Sequence, residues 1–297
     1  MAVAETAHAA RRPAPFDPAA QQRSMRRAAV RRRVVVVLPG ALVALLLATC
    51  YLGPFVLPLP SPIAGNILES GLPPGSPGHP LGTDINGNDV LSRLIYGGRA
   101  SLTVAISVNV IGLVLGGTIG AISGFFGSRT DTVIMRILDV VIAFPSLVLT
   151  IAIAQALGPS LPNTILALTA FSIPAVARVA RSATLRVVSM PYVQAAEISG
   201  SGTGRILLRH IAPNILPQLI SFGMLGMGIV IVTEGALSFL GMGVPAPAPS
   251  WGNMIYDGQQ SLSATPLLVL WPSLALLVTV LLFNLLGENA RDEMSSR

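Results

Sequence analysis

The sequence predicts an all-α polytopic membrane protein with six transmembrane helices, and composition is the first reason. Of 297 residues, 52% are hydrophobic and 11% are charged, whereas soluble domains carry about 25% charged residues. A second reason is the run from Val34 to Leu57, which contains no charged residue. A helix that crosses a bilayer needs about 20 such residues. An ordinary soluble enzyme and a disordered chain are both excluded for the bulk of the sequence.

Apolar segments define the predicted spans. In chain order they are Val34–Leu57, Ala100–Phe126, Val140–Leu157, Leu161–Ala177, Ile215–Leu240 and Thr265–Leu286. We therefore divide the chain into an N-terminal tail (1–33), a first helix (34–57), an outer loop (58–99), a five-helix core (100–290) and a C-terminal tail (291–297).

The distribution of arginine predicts the orientation. All 19 basic residues are arginine, and cytoplasmic segments of membrane proteins are enriched in basic residues. With the N-terminus inside, the predicted inner segments contain every arginine except Arg93 and Arg99. We therefore expect a multi-pass protein of the cytoplasmic membrane with both termini in the cytoplasm. The arginine-rich tail is interpreted as an anchor at the lipid surface, and no nucleic-acid partner is expected.

Glycine and proline give the predicted spans some internal detail. The second span carries glycines at every fourth position, namely Gly112, Gly116, Gly120 and Gly124. Such a stripe allows another helix backbone to approach closely, either within this bundle or at a subunit interface. Pro145 and Pro174 are expected to kink the third and fourth spans, because proline removes a backbone donor.

Two outer segments interrupt the spans. The first half of 58–99 is rich in proline and is predicted to be extended, whereas Asn88 to Arg99 has the spacing of an amphipathic helix on the membrane surface. The segment from Gly241 to Ala264 contains three prolines and is predicted to lack regular helix. Its Trp251 is expected at the membrane interface.

The cytoplasmic segment 178–214 is the most informative part of the chain. We predict a helix around Tyr192 to Ile198, a glycine-rich break, and a second helix from Arg205 to Ile211 that Pro213 stops. An exposed helix of this kind suits a groove on a partner protein. The glycines do not form a nucleotide-binding loop, because no strand precedes them and no Gly-Lys-Ser/Thr sequence follows. We expect no catalysis and no ATP hydrolysis by this chain.

This segment also carries a resemblance to a known family. Gln194-Ala195-Ala196, Gly200 and the later His210-Ile211-Ala212-Pro213 are similar in spacing to the EAA motif of bacterial ABC-importer permeases. Three positions depart from the family pattern: Gln194 replaces the usual glutamate, Glu197 stands where a basic residue is common, and Ala212 precedes the proline in place of leucine.

Further motifs extend the resemblance over about residues 34 to 290. They are His79-Pro80-Leu81-Gly82-Thr83-Asp84, the run from Gly87 to Gly97, Met135-Arg136 with Asp139, Phe144-Pro145, Leu237 to Gly241, and Pro249-Ser250-Trp251-Gly252. The sequence resembles the second permease subunit of the dipeptide/oligopeptide/nickel transport family. The resemblance implies the ABC type I importer permease fold, peptide cargo, a second homologous permease, two ATPase subunits and an extracytoplasmic substrate-binding protein. ATP and Mg²⁺ would bind to the ATPase subunits, and this chain would bind no cofactor.

Individual residues receive roles from this resemblance and from their chemistry. Those expected to couple the chain to an ATPase subunit are Tyr192, Gln194, Ala195, Ala196, Glu197, Gly200, Arg205, His210 and Pro213. Those that could line the translocation pathway or a subunit interface are Glu234, Asn109, Met224 and Met227. For Glu234 a structural hydrogen bond to Ser238 is the alternative, and for Asp139 we predict a local pair with Arg136. The histidines are too far apart in sequence to suggest a metal site.

Other functions remain as alternatives at this point. The same type of transporter could carry nickel, glutathione or another small solute. A secondary transporter would show paired broken helices and more charge within the membrane, and a membrane-embedded enzyme would need several titratable groups at one depth. The sequence offers neither pattern.

Overall fold

The computed structural model describes residues 18–295, and the side chains of residues 37–291. This part of the chain is helical and contains no β-strand. The helices are α1 (Pro18–Val56), α2 (Val90–Ile111), α3 (Gly117–Phe126), α4 (Ser128–Ile142), α5 (Ser146–Leu157), α6 (Leu161–Val188), α7 (Pro191–Ile198), α8 (Thr203–Ile206), α9 (Ala212–Phe239), α10 (Trp251–Gln259) and α11 (Leu267–Ser295).

Among the described residues, five continuous helices are long and apolar enough to cross a bilayer: Val37–Val56, Val90–Phe126, Leu161–Val188, Thr203–Phe239 and Leu267–Arg291. A sixth crossing exists if α4 and α5 together form one span, although their axes meet at 82°. The predicted third span, Val140–Leu157, is therefore divided between two helices that part at Pro145, where a kink was expected. Pro145 explains the break, because proline lacks the N–H that would continue α4 and disfavours helical geometry at the residue before it. Pro174, which was expected to kink the fourth span, does not end its helix, since α6 continues through it.

The second span begins earlier than predicted. Asp89 caps α2 by accepting a hydrogen bond from the Ser92 backbone N–H at 2.7 Å. A π-helical turn at Gly112–Gly116 then joins α2 to α3. The predicted surface helix from Asn88 to Arg99 is therefore wrong, because these residues form the first turns of the spanning helix and Arg93 is buried against other parts of the chain.

The fifth span is also longer than predicted. A π-helical turn at Leu207–Ile211 joins α8 to α9, so one helix runs from Thr203 to Phe239. The prediction that Pro213 stops a separate helix is wrong. Pro213 lies in the first turn of α9, where the wider turn that precedes it changes the hydrogen-bond register and a missing N–H is tolerated.

The fourth span continues past its predicted end, Ala177, as far as Val188. Arginines on this extension bind α4: an Arg178 Nη atom lies 2.7 Å from an Asp139 carboxylate oxygen, and Arg181 forms a two-point ion pair with Asp131. The predicted local pair between Arg136 and Asp139 is therefore wrong. A neighbouring helix supplies the partner, which sequence spacing within α4 could not indicate.

The outer segments are partly as predicted. Between α1 and α2 the chain is irregular apart from one 3₁₀ turn at Ile67–Glu69. After α9, however, α10 is a regular helix, so the prediction of no helix there is wrong. Every proline of the segment precedes Ser250, and Ser250 with Asn253 forms a capping box that starts α10. Trp251 is 1% exposed and lies in the protein core.

Candidate functional site

Helix α7 is a short helix with well-defined ends. Pro191 occupies its first turn, where a missing N–H has no cost. At its end the Ser201 N–H bonds to the Ala196 carbonyl at 3.0 Å and the Gly200 N–H bonds to the Glu197 carbonyl at 2.9 Å. This pair of bonds is a Schellman motif, and it requires a positive φ at Gly200, which has φ +78°. The glycine-rich break follows directly.

One side chain anchors α7 to the rest of the protein. Val193 is buried and joins an apolar cluster with Ile206, Ile211 and Ile215 from the helix that follows, and with Val176 of α6. The cluster fixes α7 against the inner ends of α6 and α9. Because Val193 is its only buried residue, most of the α7 surface remains free.

The free surface of α7 contains the predicted motif. Gln194, Ala195 and Glu197 are exposed, and Ala196 is half-buried. The Tyr192 side chain is also exposed, and its ring centroid lies 6.3 Å from that of His210. The other residues predicted to act here, Gly200, Arg205 and Pro213, are exposed as well.

Sequence reasoning missed two apolar residues beside this motif. Ile198 is 88% exposed and Leu208 is 75% exposed. Large exposed apolar side chains are typical of interaction surfaces. The signal was present in the sequence, since Ile198 is the last residue before a polar, glycine-rich break. We call the surface formed by Tyr192, Ala195, Ala196, Ile198 and Leu208 the docking surface.

The glycine stripe of α2 and α3 faces α6. An added Cβ at Gly116 would lie 2.6 Å from the Ile173 carbonyl oxygen, and one at Gly120 would lie 2.2 Å from the Ala177 carbonyl oxygen. Gly112 and Gly124 meet other α6 residues in the same way. The stripe therefore lies at a helix contact within this chain, and it positions α6, from whose end α7 emerges.

The chain is similar to known transport proteins. A family model described as "Binding-protein-dependent transport system inner membrane component" matches residues 116–292. This chain belongs to that family. The match includes α7, the docking surface and all helices from α3 to α10. The predicted resemblance to binding-protein-dependent permeases is confirmed, and the permease is a transport component and not an enzyme.

Two characterised relatives cover nearly the whole permease. It is 35% identical to the glutathione transport system permease protein GsiD of Pectobacterium atrosepticum, over 90% of this chain and 88% of that protein. It is 38% identical to the di/tripeptide transport system permease protein DppC of Pseudomonas aeruginosa, over 88% of each chain. The fold resembles the methionine ABC transporter MetNI in an inward-facing conformation, with a TM-score of 0.55 at 18% identity, over 67% of this chain and 95% of that one. The predicted ABC importer permease fold is confirmed.

The residues predicted to line a pathway are not brought together in the permease. Glu234 is fully buried, and the Ser238 hydroxyl donates to its Oε1 at 2.7 Å. Met227 is also buried, in a cluster with Ile231 and Trp251, whereas Met224 is half-buried. Asn109 differs, because it lines a cavity between helices.

A polar network at the outer end of the permease was not predicted. The Arg93 guanidinium lies 3.3 Å from an Asp84 oxygen and 3.2 Å from an Asp257 oxygen, which joins the outer loop, α2 and α10. Burial raises the pKa of the Asp257 carboxyl, an effect that the Arg93 charge opposes and the Asp84 charge reinforces. Arg93 is thus placed to stabilise two carboxylates at once. Within the residues that the structure describes, no group of three His, Cys, Asp or Glu side chains could hold a metal ion.

Proposed function

We propose that the permease is one of two homologous membrane subunits of an ATP-driven importer that carries di- or oligopeptides across the cytoplasmic membrane. The observation that supports this most directly is the docking surface, in which Ile198 and Leu208 are largely exposed and α7 buries only Val193. An ATPase subunit would bury it, and the Schellman end at Gly200 would fix the direction of the chain as it leaves the contact.

The coupling mechanism follows from how α7 is attached. Movement of an ATPase subunit would shift α7, and Val193 would transmit the shift to Ile211 and Ile215, because packed cores move as units. The helix that contains these residues runs without interruption to the outer side. ATP and Mg²⁺ would bind only to the ATPase subunits, and an extracytoplasmic binding protein would deliver the cargo. The arginine distribution supports cytoplasmic termini.

Peptide cargo is supported by the relative that carries di- and tripeptides. Glutathione is the second candidate, because the relative that transports it is similar over 90% of the chain. The permease interior lacks the clustered His, Cys, Asp or Glu side chains that a metal cargo would need among the described residues, so nickel is the weaker alternative.

The test is uptake by a strain that lacks the permease gene, with and without the gene restored. Labelled dipeptide, tripeptide, longer peptides, glutathione and Ni²⁺ would be supplied separately. We expect restored uptake of di- or oligopeptides. Restoration of glutathione uptake alone would favour the second candidate, and restoration of neither would contradict the proposal.

Orientation is tested separately with reporter fusions. Fusions after Gly78 should report the outside, and fusions after Ser201 or at the C-terminus should report the cytoplasm. An inside result after Gly78 would contradict the proposed topology.

A further inference from the structure

A small, mostly apolar cavity with five polar residues in its lining lies inside the bundle between α2, α5, α6 and α9. Its volume is about 90 Å³, and its polar lining consists of Asn109, Ser146, Thr150, Ser172 and Thr233. None of the residues that line it is charged. Neutral polar groups inside a membrane protein are costly to leave without partners. A donor that has no partner in this cavity therefore favours the binding of a ligand.

Asn109 has an unused donor at this cavity. The residue is 7% exposed, and its Nδ2 is buried without a hydrogen-bond partner among the described residues. Gly223 and Gly226 of α9 make room for the amide, because an added Cβ would lie 3.2 Å and 3.5 Å from its Oδ1. A buried amide donor without a partner is costly, and a ligand that accepts hydrogen bonds would offset that cost.

The N-terminus of α5 provides further donors on the same cavity. The helix starts at Ser146, directly after the 82° break, and no side chain caps it. Its first internal bond is from the Leu149 N–H to the Pro145 carbonyl, so the amides of residues 146–148 have no partner within the helix. Ser146 and Thr150, one turn apart, line the cavity. The positive end of the α5 dipole therefore lies beside it.

The other hydroxyls of the lining determine which donors remain for a ligand. Thr150 donates to the Ser146 carbonyl at 2.7 Å and Thr233 donates to the Ile229 carbonyl at 2.8 Å. Both are occupied as donors by their own helices. The donors left for a ligand are the Asn109 amide, the Ser146 and Ser172 hydroxyls and the α5 amides. With no carboxylate in the lining, the cavity suits a small anion and disfavours a cation.

We propose that this cavity binds the C-terminal carboxylate of the peptide cargo during its passage. The inference rests on the proposed function and makes it more specific. The cavity's volume is enough for a carboxylate group but not for a whole dipeptide, so the remainder of the cargo lies outside it. Asn109 and the α5 amides hold the carboxylate, and the break at Pro145 is what exposes those amides within the membrane.

The first experiment measures uptake by the complete importer, reconstituted with its ATPase subunits and binding protein. Asn109→Asp keeps the size of the side chain but replaces the donor with a carboxylate that repels the cargo's own. We expect uptake of a free-acid dipeptide to fall about tenfold, since like charges disfavour one another at close range. Uptake of the C-terminally amidated dipeptide should fall less than twofold.

The matched control is Asn284→Asp. Asn284 also lies on a spanning helix, packed beside Gly228 of α9, but does not line the cavity. It should affect both peptides equally. Unchanged free-acid uptake in Asn109→Asp, or an equal fall for the free acid and the amide, would overturn the proposal. A wild-type importer that carries no peptide would instead contradict the proposed function itself.

A second measurement does not depend on uptake or on the binding protein. In Ser172→Cys the new thiol lines the cavity, and the parent chain, whose one cysteine is the buried Cys50, gives the background. The thiol should react with an anionic methanethiosulfonate faster, relative to a cationic one, than an exposed Ser199→Cys thiol does. Free-acid dipeptide should slow that reaction. A reagent preference equal to that of Ser199→Cys would contradict an anion site even if Asn109→Asp failed to assemble.

Discussion

The two ends of the permease hold their short helices in different ways. At the outer end, Trp251 of α10 is 1% exposed, and its indole Nε1 donates to the Leu94 carbonyl at 3.0 Å. The ion pair of Arg93 with Asp257 adds a second attachment. At the inner end, Val193 is the only buried residue of α7, and Ile198 is 88% exposed.

The difference indicates which end needs a partner. The outer helix α10 buries Trp251 and pairs Asp257 with Arg93 within the chain. Contacts inside the protein therefore hold this helix in place. The inner helix leaves the apolar Ile198 side chain exposed, and under the proposed function an ATPase subunit would cover it. Substitutions at the outer end should therefore lower stability, whereas substitutions on the docking surface should leave stability intact and lower transport.

The largest stability effect is expected at Trp251. Trp251→Ala removes a fully buried aromatic side chain and its hydrogen bond, which costs about 3–5 kcal/mol. The thermal unfolding midpoint of the purified permease should fall, together with its level in the membrane. Tyr256→Ala, on the same helix but at a side chain that is 42% exposed, should have a much smaller effect. Equal unfolding midpoints for the two variants would contradict the claim that contacts within the chain hold α10 in place.

A smaller loss is expected at Arg93. Arg93→Met leaves Asp84 and Asp257 facing each other without a cation. Because Asp257 is partly exposed, the free energy of unfolding should fall by only about 2 kcal/mol. Burial and the Asp84 charge then both raise the pKa of Asp257. A carboxyl with a raised folded-state pKa destabilises the fold when ionised, so the loss should be greatest at neutral pH and shrink as pH falls toward that pKa.

Unfolding midpoints measured at several pH values test this second effect. Adding Asp257→Asn to Arg93→Met should restore part of the stability at neutral pH. A loss that is independent of pH, or that the second substitution increases, would show that Arg93 acts mainly through packing.

The smallest effect is expected at Glu234, which lies between the two ends. Glu234→Gln keeps the oxygen that accepts the Ser238 hydroxyl, so uptake should change less than about twofold. Uptake by membranes with matched permease levels is the measurement. A severalfold loss of uptake would instead indicate that Glu234 contacts the cargo or the second permease.

Local patterns predicted much of this architecture. Apolar length located the spans, and the order Gln194-Ala195-Ala196 and Gly200 located α7 and its positive-φ end. Element boundaries failed where a π-helical turn continued a helix past glycine or proline, as at Leu207–Ile211. Such turns depend on packing against neighbouring helices more than on local sequence.

Contacts between residues that are far apart in the sequence could not be predicted. Asp139 pairs with Arg178 rather than with the nearer Arg136, because helix packing determines which charges meet. In the same way, the cavity at Asn109 depends on where α5 restarts relative to α2. The docking surface was only half predicted, since exposure of Ile198 and Leu208 becomes visible only once Val193 is seen to face inward.

The central claim is that the docking surface binds an ATPase subunit, and co-purification measured beside uptake tests it most directly. Ala196→Asp places an unpaired charge in that contact, which is costly when buried, whereas Ala264→Asp places the same charge on an exposed outer turn. The account predicts that both variants reach the membrane normally, and that Ala196→Asp alone loses both the ATPase subunits and uptake. Retention of the ATPase subunits and full uptake by Ala196→Asp would contradict it.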